Sequence, residues 1–349
     1  MLSISICVTL ADHTQFHMGF IAISSNCLTL TIKEKYYYCK YIVLKMDIVN
    51  PDNNSLTSGI QEAIDSSKSG YIFLSPGEYH IKTQLIIKSG TMLISNNKSI
   101  LVNDMKNKYI PFIVVEQYSD IKYLILNSNN KSGISIGKDN ANNSINIDYI
   151  KIYNTGNGPD NRIIKAIEIN GFNIIINNID IYLGNIGLSL ENASDIKIKE
   201  LQVVNCSTGL RIFNANNISI DNFSIDSCQY TGMQIDSTQN SYFQGTVWNN
   251  DKAYVNNNEY GILIGKYSRD VNNILKIDVR IRDTGKTALH ISNSMNINID
   301  AIISNSEYHK IEKGIYYGEN IKNININGII DNVPEPTLGK LNGKSNIVM

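Results

Sequence analysis

From about residue 130 onward, one short pattern keeps returning: a glycine or alanine followed by apolar-x-apolar. It reads Gly133-Ile-Ser-Ile136, Ala166-Ile-Glu-Ile169, Gly187-Leu-Ser-Leu190 and Gly209-Leu-Arg-Ile212. It continues as Gly232-Met-Gln-Ile235, Gly261-Ile-Leu-Ile264, Ala288-Leu-His-Ile291 and Gly314-Ile-Tyr-Tyr317. Successive copies are about 21 to 33 residues apart, the range of solenoid repeats. After each copy come two more alternating segments, such as Ile196-Lys-Ile198 with Leu201-Gln-Val203, Ile218-Ser-Ile220 with Phe223-Ser-Ile225, or Ile297-Asn-Ile299 with Ala301-Ile302. Alternation with period 2 means strands buried on one face, and three short strands with three corners fill the repeat. A helical repeat needs a 3.6-residue period, and a leucine-rich repeat needs its own Leu and Asn register; neither is present. The expected fold is therefore all-β: a single-stranded parallel β-helix, three strands per coil, with interior Ile residues stacked into ladders.

Composition supports this reading. Ile and Asn together make up roughly 30% of the 349 residues, far above ordinary usage. Ile favours strands and Asn favours corners. Superposed coils bring Asn154, Asn205, Asn249, Asp283 and Asn305 to one corner position, where stacked amides can bond the backbone and one another. Cys206 and Cys228 take the next position in adjacent coils, about 4.8 Å apart, and are expected to be buried thiols rather than metal ligands or a disulfide. With 31 Lys and Arg against 32 Asp and Glu, the chain lacks the cationic surplus of a general nucleic-acid binder. No run of about 18 apolar residues suggests a transmembrane helix.

Three regions are expected. Residues 1–45 lack the repeat and hold Cys7, Cys27 and Cys39. They read as sequence upstream of a start at Met46, or as a signal or attachment segment. Residues 46–332 form the β-helix, and 333–349 a C-terminal tail. Near the start, Ser58-Gly-Ile-Gln61 has the form of a capping box, and Ile60, Ala63 and Ile64 share one face, predicting a helix over about 58–67 that lids the first coil.

Ile60-Gln-Glu-Ala-Ile-Asp65, followed by Gly70-Tyr-Ile-Phe-Leu-Ser-Pro-Gly-Glu-Tyr79, resembles the opening of the pectin-lyase-like right-handed β-helix superfamily. That group includes pectate lyases, polygalacturonases and phage tailspike depolymerases. The resemblance spans about 46–332. It implies a right-handed solenoid, a polysaccharide partner, and substrate lying along the sheet that carries Gly-apolar-x-apolar. Its catalytic signatures do not transfer. The residues preceding the repeated Gly or Ala include no acid, Arg162-Ile-Ile-Lys165 is displaced from the polygalacturonase motif, and the pectate-lyase and alginate-epimerase motifs are missing.

The outward positions of the repeated strand supply candidates nonetheless. They present Glu168, Glu191, Arg211, Gln234, Asp236, His290 and Tyr316 on one face: carboxylates and amides for sugar hydroxyls, rings for pyranose faces. A merely solvated sheet face would also be polar. One coil separates Glu168 from Glu191, about 5 Å, and two separate Glu191 from Asp236, about 10 Å. Retaining glycosidases need carboxyls about 5–5.5 Å apart and inverting ones about 6.5–9.5 Å, so either pairing is nearly admissible. A lyase would use a base and a cation, with His290 and Arg211 as candidates and Ca²⁺ as its one expected cofactor; otherwise no metal or cofactor is expected. Long corners at 155–165, 250–260 and 306–313 crowd this face. The middle one brings Asp251, Tyr254, Glu259 and Tyr260, with Trp248 just before it; Asp236 with Glu259 is a further acid pair. Asp236, Glu191, Glu259, Arg211 and His290 are thus the catalytic candidates, and Glu168, Gln234, Tyr260, Tyr316 and Trp248 the substrate-binding ones. Two functions stand: cleavage of an acidic or capsular polysaccharide by hydrolysis or β-elimination, and non-catalytic glycan binding, adhesion or virion structure. Either places the protein outside the cell or on a virion surface, as a homotrimer if virion-borne.

Overall fold

The computed structural model describes residues 46–349 apart from 138–141, 157–163, 250–258, 269–271, 307–310 and 340–342, and within 1–45 only 22–24, 27–29 and 43–44. Asp251, Tyr254 and Arg162 lie outside the described residues.

The repeat folds as its period requires. Strands stack in register from coil to coil, all parallel, on three faces. Sheet A carries the Gly-apolar-x-apolar strand: Ile113 pairs with Ile134, Ile134 with Ile167, Leu210 with Met233, Met233 with Ile262, Ile262 with Leu289, and Leu289 with Ile315. Between Ala166 and Gly187, the Ile186 N–H donates to the Ile164 carbonyl at 3.2 Å. Sheet B runs through Ile147, Ile176, Ile220, Phe243, Ile277, Ile299 and Ile326, and sheet C through Ile152, Ile181, Ile225, Val247, Ile281, Ile303 and Ile330. These inward residues are almost wholly buried. Each such burial contributes about 2 kcal/mol relative to exposure. Parallel β-helical stacking is therefore the observed architecture.

The small residue opening the sheet A strand has a steric cause. A Cβ on Gly209 would lie 2.6 Å from the Gly232 carbonyl oxygen and 2.5 Å from the Ile225 side chain in the neighbouring strands. Cys206 and Cys228 are buried thiols beside this position, their Sγ atoms 3.8 and 3.9 Å from the Val204 and Asp226 carbonyls. Burial, and for Cys206 also the neighbouring Cys228, pushes both well above the ordinary thiol range, which keeps them protonated and inert.

The corners explain the Asn content more fully than side-chain stacking does. Asn154, Asn205 and Asp283 hold φ of 57°, 57° and 54°, and Leu183 and Ser227 occupy the same corner in other coils with φ of 61° and 53°. The chain must turn through the left-handed region there, and Asn and Asp tolerate it better than other non-glycine residues. The running amide-to-amide ladders lie instead on the A-to-B corner and along sheet B: Asn214 donates to Asn192 at 2.7 Å, Asn323 to Asn296 at 2.7 Å, and Asn325 to Asn298 at 2.9 Å.

The N-terminal lid forms as α1, Ile60–Ser66, with Ile60 and Ile64 buried. The expected capping box does not. Gly59 is the N-cap, in the left-handed region, and Ser58 turns its hydroxyl to the His80 carbonyl at 3.1 Å. Thr57 Oγ1 accepts the Gln61 N–H instead, at 3.3 Å, and Gln61 Oε1 is used to accept the Ile86 N–H at 2.8 Å, tying α1 to sheet A. At the other end the solenoid runs past 332: Glu335–Leu338 and Gly343–Val348 add strands to sheet A and to sheets B and C.

Candidate functional site

The alternation that buries Leu188, Leu210, Met233 and Leu289 turns the residues between them outward, so sheet A presents a strip running along the solenoid axis. Its chemistry divides into three parts.

At the first part, Lys165 reaches across one coil boundary. Its ammonium contacts the Glu168 carboxylate and lies 3.0 Å from Glu191 Oε2. Arg211 Nη1 is 3.5 Å from Glu191 Oε1, and the Ser189 hydroxyl donates to that same oxygen at 3.0 Å. Burial raises the Glu191 carboxyl, but Lys165, Ser189 and Arg211 together outweigh it and hold the group below the usual carboxylate range. Glu191 is thus a fixed anion inside a cationic clamp, neither a free nucleophile nor a proton donor. Lys165 and Arg211 together balance the two carboxylates, and this donor set does not fit a Ca²⁺ ion, which needs several oxygens unopposed by a cation. No group of three or more His, Cys, Asp or Glu side chains suited to a metal is found among the described residues.

At the middle part, Asp236 is fully buried. Gln234 Nε2 donates to its Oδ2 at 2.7 Å, and the Tyr267 N–H donates to its Oδ1 at 2.9 Å. The loop Gly265 to Ser268 folds over the strand end and seals it, with Ser268 Oγ accepting the Ser237 N–H at 2.8 Å. Burial raises the Asp236 carboxyl against the opposing pull of these hydrogen bonds, Arg211 and Lys266. A raised carboxyl suits a general acid, yet here it has no open side toward a substrate. Glu259 is exposed, and its charge acts on Lys266.

At the third part, three rings form a row. The His290 imidazole meets Tyr260 edge-on at 5.4 Å and Tyr316 at 4.7 Å and 42°. Lys266 lies over Tyr260 at 4.9 Å and over Tyr267 at 5.5 Å, a cation–π arrangement that holds the ammonium beside the row. Burial, joined by the charge of Lys266, holds the imidazole down to about 4, so it is neutral at ordinary pH. Burial also acts to lower Lys266, but Tyr260, Tyr267 and Glu259 reverse this and keep it cationic.

The structure therefore gathers nine of the ten candidates around sheet A and spreads them along its axis. Trp248 is elsewhere: it pairs with Asp226 and Arg282 on sheet C, and its buried indole N–H has no hydrogen-bond partner among the described residues. Two residues were missed. Lys165 opens its strand and Lys266 follows the end of another, both outside the outward third and fifth positions of the repeat. The only trace of Lys266 was the polar run Gly265-Lys-Tyr-Ser268 directly after an apolar strand.

No family model matches the chain, and no curated protein matches it in sequence. Solved structures do. The Dettilon tailspike protein (gp208) shares 13% identity with a TM-score of 0.62, covering 86% of this chain and 68% of that one. The A-module of the Azotobacter vinelandii mannuronan C-5 epimerase AlgE4 shares 15% with a TM-score of 0.52, covering 84% and 96%. The Streptococcus pneumoniae surface protein and adhesin PfbA shares 16% with a TM-score of 0.50, covering 83% and 95%. The chain therefore has the pectin-lyase-like right-handed parallel β-helix fold.

Proposed function

We propose that the protein binds an acidic polysaccharide along sheet A and cleaves it by β-elimination at the Tyr260–His290–Tyr316 row. One observation carries this: a neutral imidazole is packed between two phenols, with the Lys266 ammonium held over one of them. β-Elimination from a uronate needs these three kinds of group. Lys266 pairs with the sugar carboxylate and stabilises the charge that builds there when the neighbouring C–H is broken. His290, proton-free, accepts that proton; the electron pair becomes the C4=C5 double bond as the C4–O bond to the leaving sugar breaks. A phenol, Tyr260 or Tyr316, protonates the departing oxygen. Hydrolysis has less support, because Glu191 and Glu168 are tied to Lys165 and Asp236 is sealed. Arg211 and Gln234 then serve binding, with the clamp at Lys165 as a rigid, charge-balanced stretch of the strip.

A non-catalytic surface or virion protein that only binds glycan is the second reading. It is favoured by the mutual satisfaction of every charge in the Lys165 clamp. The similarity to a tailspike and to a surface adhesin supports an extracellular or virion-surface location under either reading. No helix among the described residues is long and apolar enough to cross a membrane.

Incubation with polyuronates, read by the ultraviolet absorbance of the unsaturated product and by reducing ends, separates these. A rise in both, lost in His290→Phe and kept in Asp236→Asn, is expected. Reducing ends without ultraviolet absorbance would establish hydrolysis instead, and binding with neither signal would establish the second reading.

A further inference from the structure

A second groove lies away from sheet A, where sheet B turns into sheet C. Its volume is about 310 Å³. Two outward rows border it. One runs Tyr149, Asn178, Glu200, Asn222 along the B-to-C corner, and the other runs Asp180, Gln202 along sheet C. The floor is Ile179 and Leu201, whose side chains belong to the core.

The depression exists because of the order of side chains along the stack. Tyr123 and Tyr149, in adjacent coils, stack with ring centres 4.6 Å apart and close one end. The coils that follow place shorter side chains on the same row, so the surface drops. Tyr149 is held in place, its hydroxyl donating to Asp180 Oδ2 at 2.6 Å. Tyr182 flanks the groove and donates to Gln202 Oε1 at 3.0 Å.

The lining is aromatic, amide, hydroxyl and carboxylate, with no Lys or Arg. The nearby cations are engaged elsewhere: Lys151 lies over the Tyr182 ring at 5.2 Å, and Lys197 pairs with Asp221 at 3.6 Å. Carboxylates and amides accept and donate to sugar hydroxyls, and a fixed tyrosine face covers the apolar side of a pyranose. The coil rise of about 4.8 Å is close to the length of one sugar unit in an extended chain. Asp180 and Glu200, with no Lys or Arg in the lining to oppose them, disfavour an anionic ligand. Sheet A, where the Lys266 ammonium stands beside the aromatic row, has the opposite preference.

We propose that this groove is a second glycan-binding site, selective for an uncharged oligosaccharide, so that the solenoid holds two chemically different glycans on separate faces. It does not depend on the chemistry at His290.

The test is binding of the full chain to an immobilised panel of uncharged and uronate-containing oligosaccharides, followed by titration of the glycans retained. Wild-type protein is expected to retain at least one uncharged oligosaccharide. Gln202→Ala, an exposed position that leaves the core intact, and Tyr149→Ala should each weaken that binding about tenfold. Uronate binding should be unchanged in both variants, while Lys266→Ala should weaken uronate binding alone. Retention of no uncharged glycan, retention unaffected by Gln202→Ala and Tyr149→Ala, or loss of only uronate binding in those two variants would each overturn the proposal. Failure of uronate binding with the uncharged glycan retained would count only against the role given to sheet A.

Discussion

The His290 imidazole packs against the Tyr316 ring at 4.7 Å, one coil away on sheet A, with their backbones in register. Burial in this row, joined by the charge of Lys266, disfavours the charged form of the ring.

The stability of the fold therefore depends on pH through His290. Burial, then Lys266, lowers the folded-state value from 6.5 to about 4. The unfolded chain therefore binds a proton at His290 as pH falls below about 6.5, while the folded chain does not until about 4. The contribution is complete above that window and is lost progressively across it as pH falls. His290→Phe keeps a ring between the tyrosines and cannot titrate. Melting temperatures measured from pH 7 to pH 4 should fall more steeply for wild type than for this variant; parallel curves would contradict the shift. Under the proposed chemistry, the elimination rate should persist well below pH 6.5 and decline only as pH approaches 4.

The clamp at Lys165 yields a prediction of opposite chemistry. Lys165 is the group that lets Glu168 and Glu191 share a coil boundary. Lys165→Met keeps the length of the side chain and leaves two like charges with only Arg211 opposing them. A loss of about 1 kcal/mol at pH 7 is expected for a partly exposed cluster of this kind. Glu191 is held below its ordinary value, so its contribution is present above about pH 4.5 and fades as pH falls. The gap between variant and wild type in thermal or urea denaturation should therefore shrink toward pH 4. A gap that is constant with pH would make Lys165 a packing residue only.

Which parts of this structure were legible follows from what each depends on. Ile174, Ile176, Ile179 and Ile181 announce two strands and their buried faces by period alone, because alternation is a local property repeated in every coil. The outward placement of Glu191 and His290 follows from the same rule. The fate of Asp236 does not: its burial depends on Gly265 to Ser268 folding back over a strand that precedes them by a whole coil. Lys165 and Lys266 were invisible for a related reason, since long flexible side chains reach the strip from outside the alternating register. Ser58 shows the limit of local signals, because the capping box it spells competes with a hydrogen bond to His80. The B-to-C groove was equally hidden, being defined by the relative lengths of side chains in consecutive coils.

Repetition also exposes a position where this sequence departs from its own rule. Leu183 turns the corner from sheet C to sheet A at φ 61°, the place that Asn154 and Asn205 take in the flanking coils at 57°. A branched apolar side chain in the left-handed region costs roughly 1 kcal/mol more than Asn, whose short amide tolerates it. Leu183 recovers little by burial, being 38% exposed. Its carbonyl still accepts the Thr155 N–H at 2.9 Å, so the ladder hydrogen bond does not depend on the side chain. Leu183→Asn should therefore stabilise the protein by about 0.5–1 kcal/mol, seen as a higher melting temperature and urea midpoint, and the reverse change Asn205→Leu should lower both by a similar amount. A destabilised Leu183→Asn would mean that the buried part of the leucine contributes more than the backbone conformation costs, and the left-handed corner would then not account for the abundance of Asn in this chain.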